Sequence, residues 1–486
     1  MSKSTTQSLG TDNIGRLLFS YAIPAIIAMT SSSLYHIIDS AFVGHGVGGA
    51  AISGMAITMP IMNIGAAFGA MVGVGAGARI SLRLGEGNKR AAERTLANAV
   101  ILNIIIGFII MTLMLTFLDD ILILFSGGRA SKETIQYARE FMQVILCGNI
   151  ITHLYLGMND MIRASGYPRK AMYITLTTFA ITIILNPLFI FKFGWGIRGS
   201  AAATVLAQLV AFFIALSHFS SKHSFIRFKR EAFHIDWKII GGILSIGLAP
   251  FLMNICASTV AAFVNSAMLK YGGMGADDIV SRVVTIGKAQ CCDVGVPDIY
   301  VGAYGIVNRV ILLFVMVIQG LNQGMQPIVG YNYGARNYGR VRKALFMTIG
   351  AGMVISTIGF LLSQFAPESI ARMFVDGDKG GNEQQMIAAT TQGLHLVTIM
   401  FPLVGFQIVA GGFFQYIGKA PLAITTSLTR QLLFLVPLLW ILPRTFGAYG
   451  VWCSMPIADA ASILLALSFF IWQMRKMRRE ELAMGR

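Results

Sequence analysis

Two aspartates, Asp39 and Asp459, stand well inside long apolar stretches of this 486-residue chain. A carboxylate placed there costs a few kcal/mol to bury and marks a functional position by default. Asp39 has His36 one turn before it on the same helical face, and Asp459 lies about midway along its stretch. Burial penalises the charged form of a carboxyl group, so Asp39 is the candidate for exchanging a proton near neutral pH. It could also help to hold Na⁺. Thr182, Asn186 and Thr204 offer oxygen ligands for such an ion, and Asn186-Pro187 interrupts its helix where backbone carbonyls would be freed. The competing reading for both aspartates is a hydrogen bond between helices. Asp160 falls three residues before Arg163, the spacing of an ion pair at the membrane surface.

A second polar group is uncharged. Gln319, Asn322, Gln323 and Gln326 follow an i, i+3, i+4, i+7 pattern that puts four amides on one helix face. Such a face avoids lipid and lines either a water-filled cavity or a helix contact, and the cavity is preferred. The 26 methionines and 32 phenylalanines suit an adaptable apolar pocket, although most must face lipid or core. Of the five cysteines, Cys147, Cys256 and Cys453 lie in apolar runs, while the vicinal Cys291 and Cys292 sit in a polar stretch and are either a redox or metal pair or incidental. Gly65, Gly69, Gly73, Gly75 and Gly77 allow close helix contact, and no phosphate-cradling loop fits them.

The elements that must position these residues are membrane helices. Charged residues make up 12% of the chain against 55% hydrophobic, with mean hydropathy +0.68, which leaves too little polar surface for a soluble domain of this length. A cytosolic enzyme and a secreted binding module are thereby excluded. Stretches near 17–41, 51–78, 97–118, 141–162, 171–192, 199–218, 239–268, 302–328, 344–365, 387–415, 422–443 and 448–473 are each long enough to cross a bilayer. Alternate loops, taken with Arg430 and both ends of the chain, hold 26 of the 38 Lys and Arg residues. The net charge of +16 is therefore a topology signal rather than a nucleic-acid footprint, and both termini are expected in the cytoplasm. No signal peptide is read in Met1–Arg16, which is polar.

The twelve stretches read as two copies of six. Ile38-Asp39-Ser40-Ala41 matches Val264-Asn265-Ser266-Ala267 at an offset of 226, with Pro24 and Pro250 upstream. Gly85 to Leu96 matches Gly334 to Leu345 at 249, Asn186-Pro187-Leu188 matches Val436-Pro437-Leu438 at 250, and Gly196 to Gly199 matches Gly447 to Gly450 at 251. The fold expected is all-α, with twelve transmembrane helices in two pseudo-symmetric six-helix lobes, residues 1–230 and 231–486. The change of offset puts an insertion of 23 residues in the extracytoplasmic loop 271–302, either a cap over the exit or a surface loop. Since Asn265 is neutral, whatever Asp39 does belongs to one half only.

Several segments resemble the multidrug and toxic compound extrusion (MATE) transporters. They are Gly320 through Ala335 (GLNQGMQPIVGYNYGA), Arg163-Ala164-Ser165-Gly166, Asn186 through Phe191, and Gly450-Val451-Trp452, and the first is most similar to the DinF-like and MepA-like bacterial branch. The resemblance covers nearly the whole chain. It implies two lobes around a central cavity, alternating access, and export of amphipathic cations driven by H⁺ or Na⁺. The family's cation site in the first lobe, an Asp, an Asn and an Asp four residues apart, and a Thr, falls on Asp39, Thr182, Asn186 and Thr204. Both central positions depart from the family pattern and one carboxylate is lost, which favours H⁺ over Na⁺. No acidic residue occurs between Ile239 and Met268, so coupling in the second half would fall to Asp459.

The function expected is an ion-coupled antiporter in the bacterial cytoplasmic membrane. It would act as a monomer among membrane lipids on small amphipathic solutes, without nucleic acid or cofactor, using the Asp39 group and a cavity that includes His36 and the four amides. The nearest alternative is a lipid-linked saccharide flippase, which needs cationic side chains to meet a diphosphate, and Arg309 is the one candidate found. An intramembrane enzyme would need a clustered constellation that the scattered His36, His153 and His395 do not supply.

Overall fold

The computed structural model describes residues 5–126, 131–222, 224–271, 296–375 and 383–483, and no strand occurs among them. The membrane-spanning helices are α1 (Ile14–Gly46), α2 (Gly49–Gly85), α3 (Lys89–Thr116), α4 (Lys132–Cys147 with Asn149–Ala164), α5 (Pro168–Lys192), α6 (Gly196–Ser220), α7 (Trp237–Tyr271), α8 (Val296–Gly334), α9 (Tyr338–Phe365), α10 (Glu383–Val397 with Phe401–Tyr416), α11 (420–446) and α12 (448–483). The last two form one run of 64 residues, roughly 96 Å at 1.5 Å per residue and far longer than a bilayer needs. Gly447, at φ 56° and ψ −138°, divides it. Phe108, Ile184, Leu313 and Leu464 are among many large apolar side chains left exposed, as expected where lipid is the solvent.

Most helices run past the apolar stretches that announced them. Thus α2 continues from Ala78 through Arg79 and Arg83 to Gly85, because hydrophobicity marks the bilayer whereas the helix stops only where its backbone turns. Two spans are bent pairs. Helix α4 breaks by 57° at Gly148 and α10 by 58° across 398–400, so neither is the continuous span that its apolar run suggests. In α5 the peptide after Asn186-Pro187 relaxes into a π-helical turn at Leu188–Lys192, and α11 has a longer one at Thr429–Leu435.

The repeat is written in the backbone as well as in the side chains. Helix α2 ends with Gly87 N–H donating to the Leu84 carbonyl and Asn88 N–H to that of Arg83, and α8 ends with the same pair of bonds from Arg336 to Tyr333 and from Asn337 to Asn332. Helices α4 and α10 close identically through Gly166 and Gly418. This is the Schellman arrangement, whose turn residue must take positive φ. Gly87 (74°), Gly166 (101°) and Gly418 (74°) take it freely, whereas Arg336 (56°) is the one non-glycine residue that does so among the described residues. Gly196 and Gly447, aligned at an offset of 251, both have φ 56°.

The chain falls into two compact units. One comprises Met1–Ile255, Gly320–Leu345 and Gly412–Pro421, and the other Cys256–Gln319, Phe346–Gly411 and Leu422–Arg486. The first unit thus takes the start of α7 and the ends of α8 and α10. The reason is close backbone contact at glycine: Gly247 of α7 sits on the Met71 backbone of α2, and Gly85 of α2 on that of Tyr331 in α8. The linker before α7 is tied to the same unit. Lys229 pairs with the buried Glu93 at 2.7 Å, while Asn98 donates to the His234 carbonyl (3.0 Å) and accepts from Asp236 N–H (2.9 Å). Most of the inserted loop lies outside the described residues, including Asp277, Asp278, Cys291 and Cys292; its last part, from Val296, is already helix.

Candidate functional site

Asp39 is buried in α1 with 5% of its surface exposed. Its Oδ1 accepts a hydrogen bond from Asn186 Nδ2 of α5 at 2.6 Å and another from Ser200 Oγ of α6 at 2.8 Å. The structure therefore joins Asp39 and Asn186, as the sequence suggested, and adds Ser200. Asn186 Oδ1 is buried without a hydrogen-bond partner. That oxygen and the carboxylate are the groups that would take an added proton or a small cation.

The other two expected members sit one turn away. Thr182 Oγ1 donates to the Thr178 carbonyl at 2.9 Å within α5. Thr204 Oγ1 lies 2.9 Å from Tyr35 Oη and 3.1 Å from the Ser200 carbonyl. Tyr35 in turn stacks on Phe179, with centroids 5.3 Å apart. Ser200 thus meets Asp39 through its hydroxyl and Thr204 through its backbone carbonyl, and Tyr35, Phe179, Thr182 and Thr204 all line a cavity.

That cavity, in the first unit, has a volume of about 450 Å³, within the usual range for small-molecule sites. Met29, Met62, Met114 and Met142 supply adaptable apolar wall. Asn149, Asn159, Asp160 and Arg163 supply a polar stripe along α4. In the sequence Asp160 and Arg163 show only the spacing of a surface pair, which does not mark the stripe. They do pair, at 3.2 Å, yet both face the cavity, with side chains 21% and 8% exposed. The i, i+3, i+4 recurrence of Asn149, Thr152, Leu156, Asn159, Asp160 and Arg163 was the available signal.

Of the four amides on α8, Gln323 lines the cavity and accepts from Arg163 Nη1 through Oε1. Asn322 is buried against Gly412 and Gln326 against Gly77, so these two serve helix contacts. Gln319 is half-buried. His36 and Asn265 lie on their helices, but their side chains are outside the described residues. His153 is buried next to Gly69 and Gly107, and His395 Nδ1 lies 2.9 Å from Gln364 Oε1.

Asp459 has an ionic partner. Arg430, counted above with the cytoplasmic loops, lies instead in the π-helical turn of α11, and its Nε donates to Asp459 Oδ1 at 2.5 Å. One loop cation fewer leaves the charge bias standing. No cluster of three or more metal-ligating side chains occurs among the described residues.

The MatE family model matches residues 24–188 and 294–441, one segment in each half. The chain belongs to the MatE family. Among curated MatE relatives, the multidrug export protein MepA of Staphylococcus haemolyticus is 24% identical over 463 residues, covering 95% of this chain and 94% of its own. The structure of the MATE multidrug transporter DinF-BH superposes with a TM-score of 0.83 at 31% identity, covering 96% of this chain and 97% of that one. A MATE crystal structure in complex with MaL6 gives 0.85 at 23% identity over 99% and 100%. The protein is thus a multi-pass membrane protein of a multidrug efflux transporter family, with the twelve-helix fold expected from the sequence.

Proposed function

We propose that this protein is an ion-coupled antiporter of the bacterial cytoplasmic membrane, with both termini in the cytoplasm, that exports amphipathic solutes by alternating access with H⁺ as the coupling ion. The observation that carries the reading is the placement of Asp39. It is buried, it is held by two neutral donors, and the backbone of one of these, Ser200, accepts from Thr204, which lines the cavity beside Tyr35. A carboxylate there is stabilised by the Asn186 amide and the Ser200 hydroxyl. A carboxylic acid needs an acceptor instead, and the unpartnered Asn186 Oδ1 becomes that acceptor if the amide turns over. Protonation thus exchanges one set of bonds for another between α1, α5 and α6. A solute that favours one set competes with the proton for the protein, which is the thermodynamic content of antiport.

Na⁺ would find the same two oxygens, so the test separates the ions. Efflux of ethidium is measured in everted vesicles under proton and sodium gradients imposed separately, for wild type and Asp39→Asn. Efflux that follows the proton gradient and is lost in Asp39→Asn supports the reading, and dependence on sodium alone moves the coupling to Na⁺. Efflux under neither gradient favours the flippase reading. The cavity itself supports that reading weakly, because the cation it offers, Arg163, is already paired with Asp160.

A further inference from the structure

The ends of α2 and α8, with α7 and the turn after α10, enclose another cavity of the first unit, of about 400 Å³, on the side that the charge bias assigns to the cytoplasm. Glycine brings the two helix ends together, Gly334 against the Leu82 carbonyl and Gly85 against that of Tyr331. Arg79 and Arg83 of α2 and Arg336 just past α8 line the cavity, against one carboxylate, that of Glu86. Glu86 is paired with Arg83 at 2.7 Å. Arg79 and Arg336 have no ion-pair partner among the described residues, so two guanidinium charges are uncommitted.

Both positions are built for their arginine. Arg79 Nε is buried without a hydrogen-bond partner. A Cβ on residue 242 of α7 would stand 1.3 Å from Arg79 Nη1, so the glycine there makes the room that the guanidinium occupies. Asp236, the other carboxylate close enough to act on Arg79, accepts from the Lys238 and Ile239 N–H groups at the start of α7 (2.9 and 3.3 Å). Arg336 holds φ 56° where the first half has Gly87, and a strained side chain kept at a glycine position points to use. Open guanidinium donors in a pocket suit a tetrahedral oxyanion, which each can grip in bidentate fashion. Leu82, Ile246 and Ile417 add apolar wall beside it. The apolar run of α2 ends at Ala78, and Trp237 is exposed at the same end of α7, which sets Arg79 at the depth of lipid headgroups. We infer that Arg79 and Arg336 form a binding site for a phosphate ester, with an anionic phospholipid headgroup as the source that its depth favours. The site is separate from the Asp39 cavity and requires neither a coupling ion nor an exported solute.

The test is native mass spectrometry of the full-length protein in detergent with dioleoyl phosphatidylglycerol, and with dioleoyl phosphatidylcholine, whose choline cation opposes the arginines. Wild type should retain phosphatidylglycerol about tenfold better than phosphatidylcholine, the scale of one charge-assisted hydrogen bond. Arg79→Gln and Arg336→Gln should each lose that preference. Gly242→Ala displaces the Arg79 guanidinium at unchanged net charge and should lose it too, which diffuse attraction to a basic protein would not produce. Arg478→Gln/Arg479→Gln, exposed on α12, removes two charges elsewhere and should keep it. Glycerol 1-phosphate, added in competition, separates the sources: displacement of the lipid assigns the site to soluble phosphate esters, and retention assigns it to the headgroup. Equal retention of the two lipids by wild type without binding of glycerol 1-phosphate overturns the inference, as does a preference that falls equally in the α12 variant or survives in both Arg79→Gln and Gly242→Ala.

Discussion

Replacing Arg430 by Met would strand the carboxylate of Asp459, and the exposure of the two side chains sets the size of the effect. Asp459 has 6% of its side chain exposed and Arg430 35%. Removing one partner of a buried pair costs about 3–5 kcal/mol, and the half-open position of Arg430 puts this case at the low end, near 3 kcal/mol. The reverse change, Asp459→Leu, leaves a half-exposed guanidinium on a long side chain that can reorient toward the membrane surface, at a lower cost of about 1 kcal/mol. The double variant Asp459→Leu/Arg430→Met removes both charges and should be close to wild type, giving a favourable coupling of about 4 kcal/mol. The assay is unfolding by SDS titration from mixed micelles for the four proteins of the cycle, with ethidium efflux recorded on the same preparations. The structure makes this pair a bridge between α11 and α12. Equal costs for the two single variants, or a double variant as unstable as Arg430→Met, would refute the reasoning. Efflux that stays active in Asp459→Leu but no longer responds to the proton gradient would make Asp459 a second coupling site.

Further predictions follow from single positions. Arg336→Gly relieves a non-glycine residue at φ 56° and should stabilise the protein by about 1 kcal/mol in the same titration, whereas Gly87→Arg at the aligned position should destabilise it by a similar amount. Gly75→Ala places a methyl against the Ile243 carbonyl of α7 and should cost about 1–3 kcal/mol; Gly241→Ala, with open space at its Cβ, should be neutral or gain up to about 1 kcal/mol from helix propensity. Asn186→Leu removes a hydrogen bond to a buried carboxylate and should cost about 1.5–3 kcal/mol while abolishing gradient-driven efflux, and Ser200→Ala should show the weaker form of both effects.

The fold was legible because a bilayer demands long apolar runs, and because the two halves kept their turn residues. Gly85 to Asn88 and Gly334 to Asn337 share a Schellman stop, although one uses Gly87 and the other Arg336 at the strained position. The breaks in α4 and α10 were not legible, since hydropathy runs on through Gly148 and through 398–400 while the backbone turns by nearly 60°. Arg430 was misplaced for a related reason: a π-helical turn brings it onto Asp459, and a charge count cannot distinguish a loop cation from a paired one. Within the site, the meeting of Asp39 with Asn186 was readable from residue type and from the family pattern. Ser200 was missed because a serine in a small-residue helix start carries no signal of its own. Asp160 and Arg163 were read as partners correctly, but only the packing of α4 shows that the pair faces a cavity.

The central claim is that a proton on Asp39 and a solute in the cavity exclude one another. The direct measurement is solute-induced proton movement: protein in liposomes loaded with pyranine, no gradient imposed, and ethidium added to one side. Wild type should move protons against the direction of the solute, in proportion to solute flux, and Asp39→Asn should move none even where it still binds ethidium. Proton movement of equal size in Asp39→Asn would contradict the account.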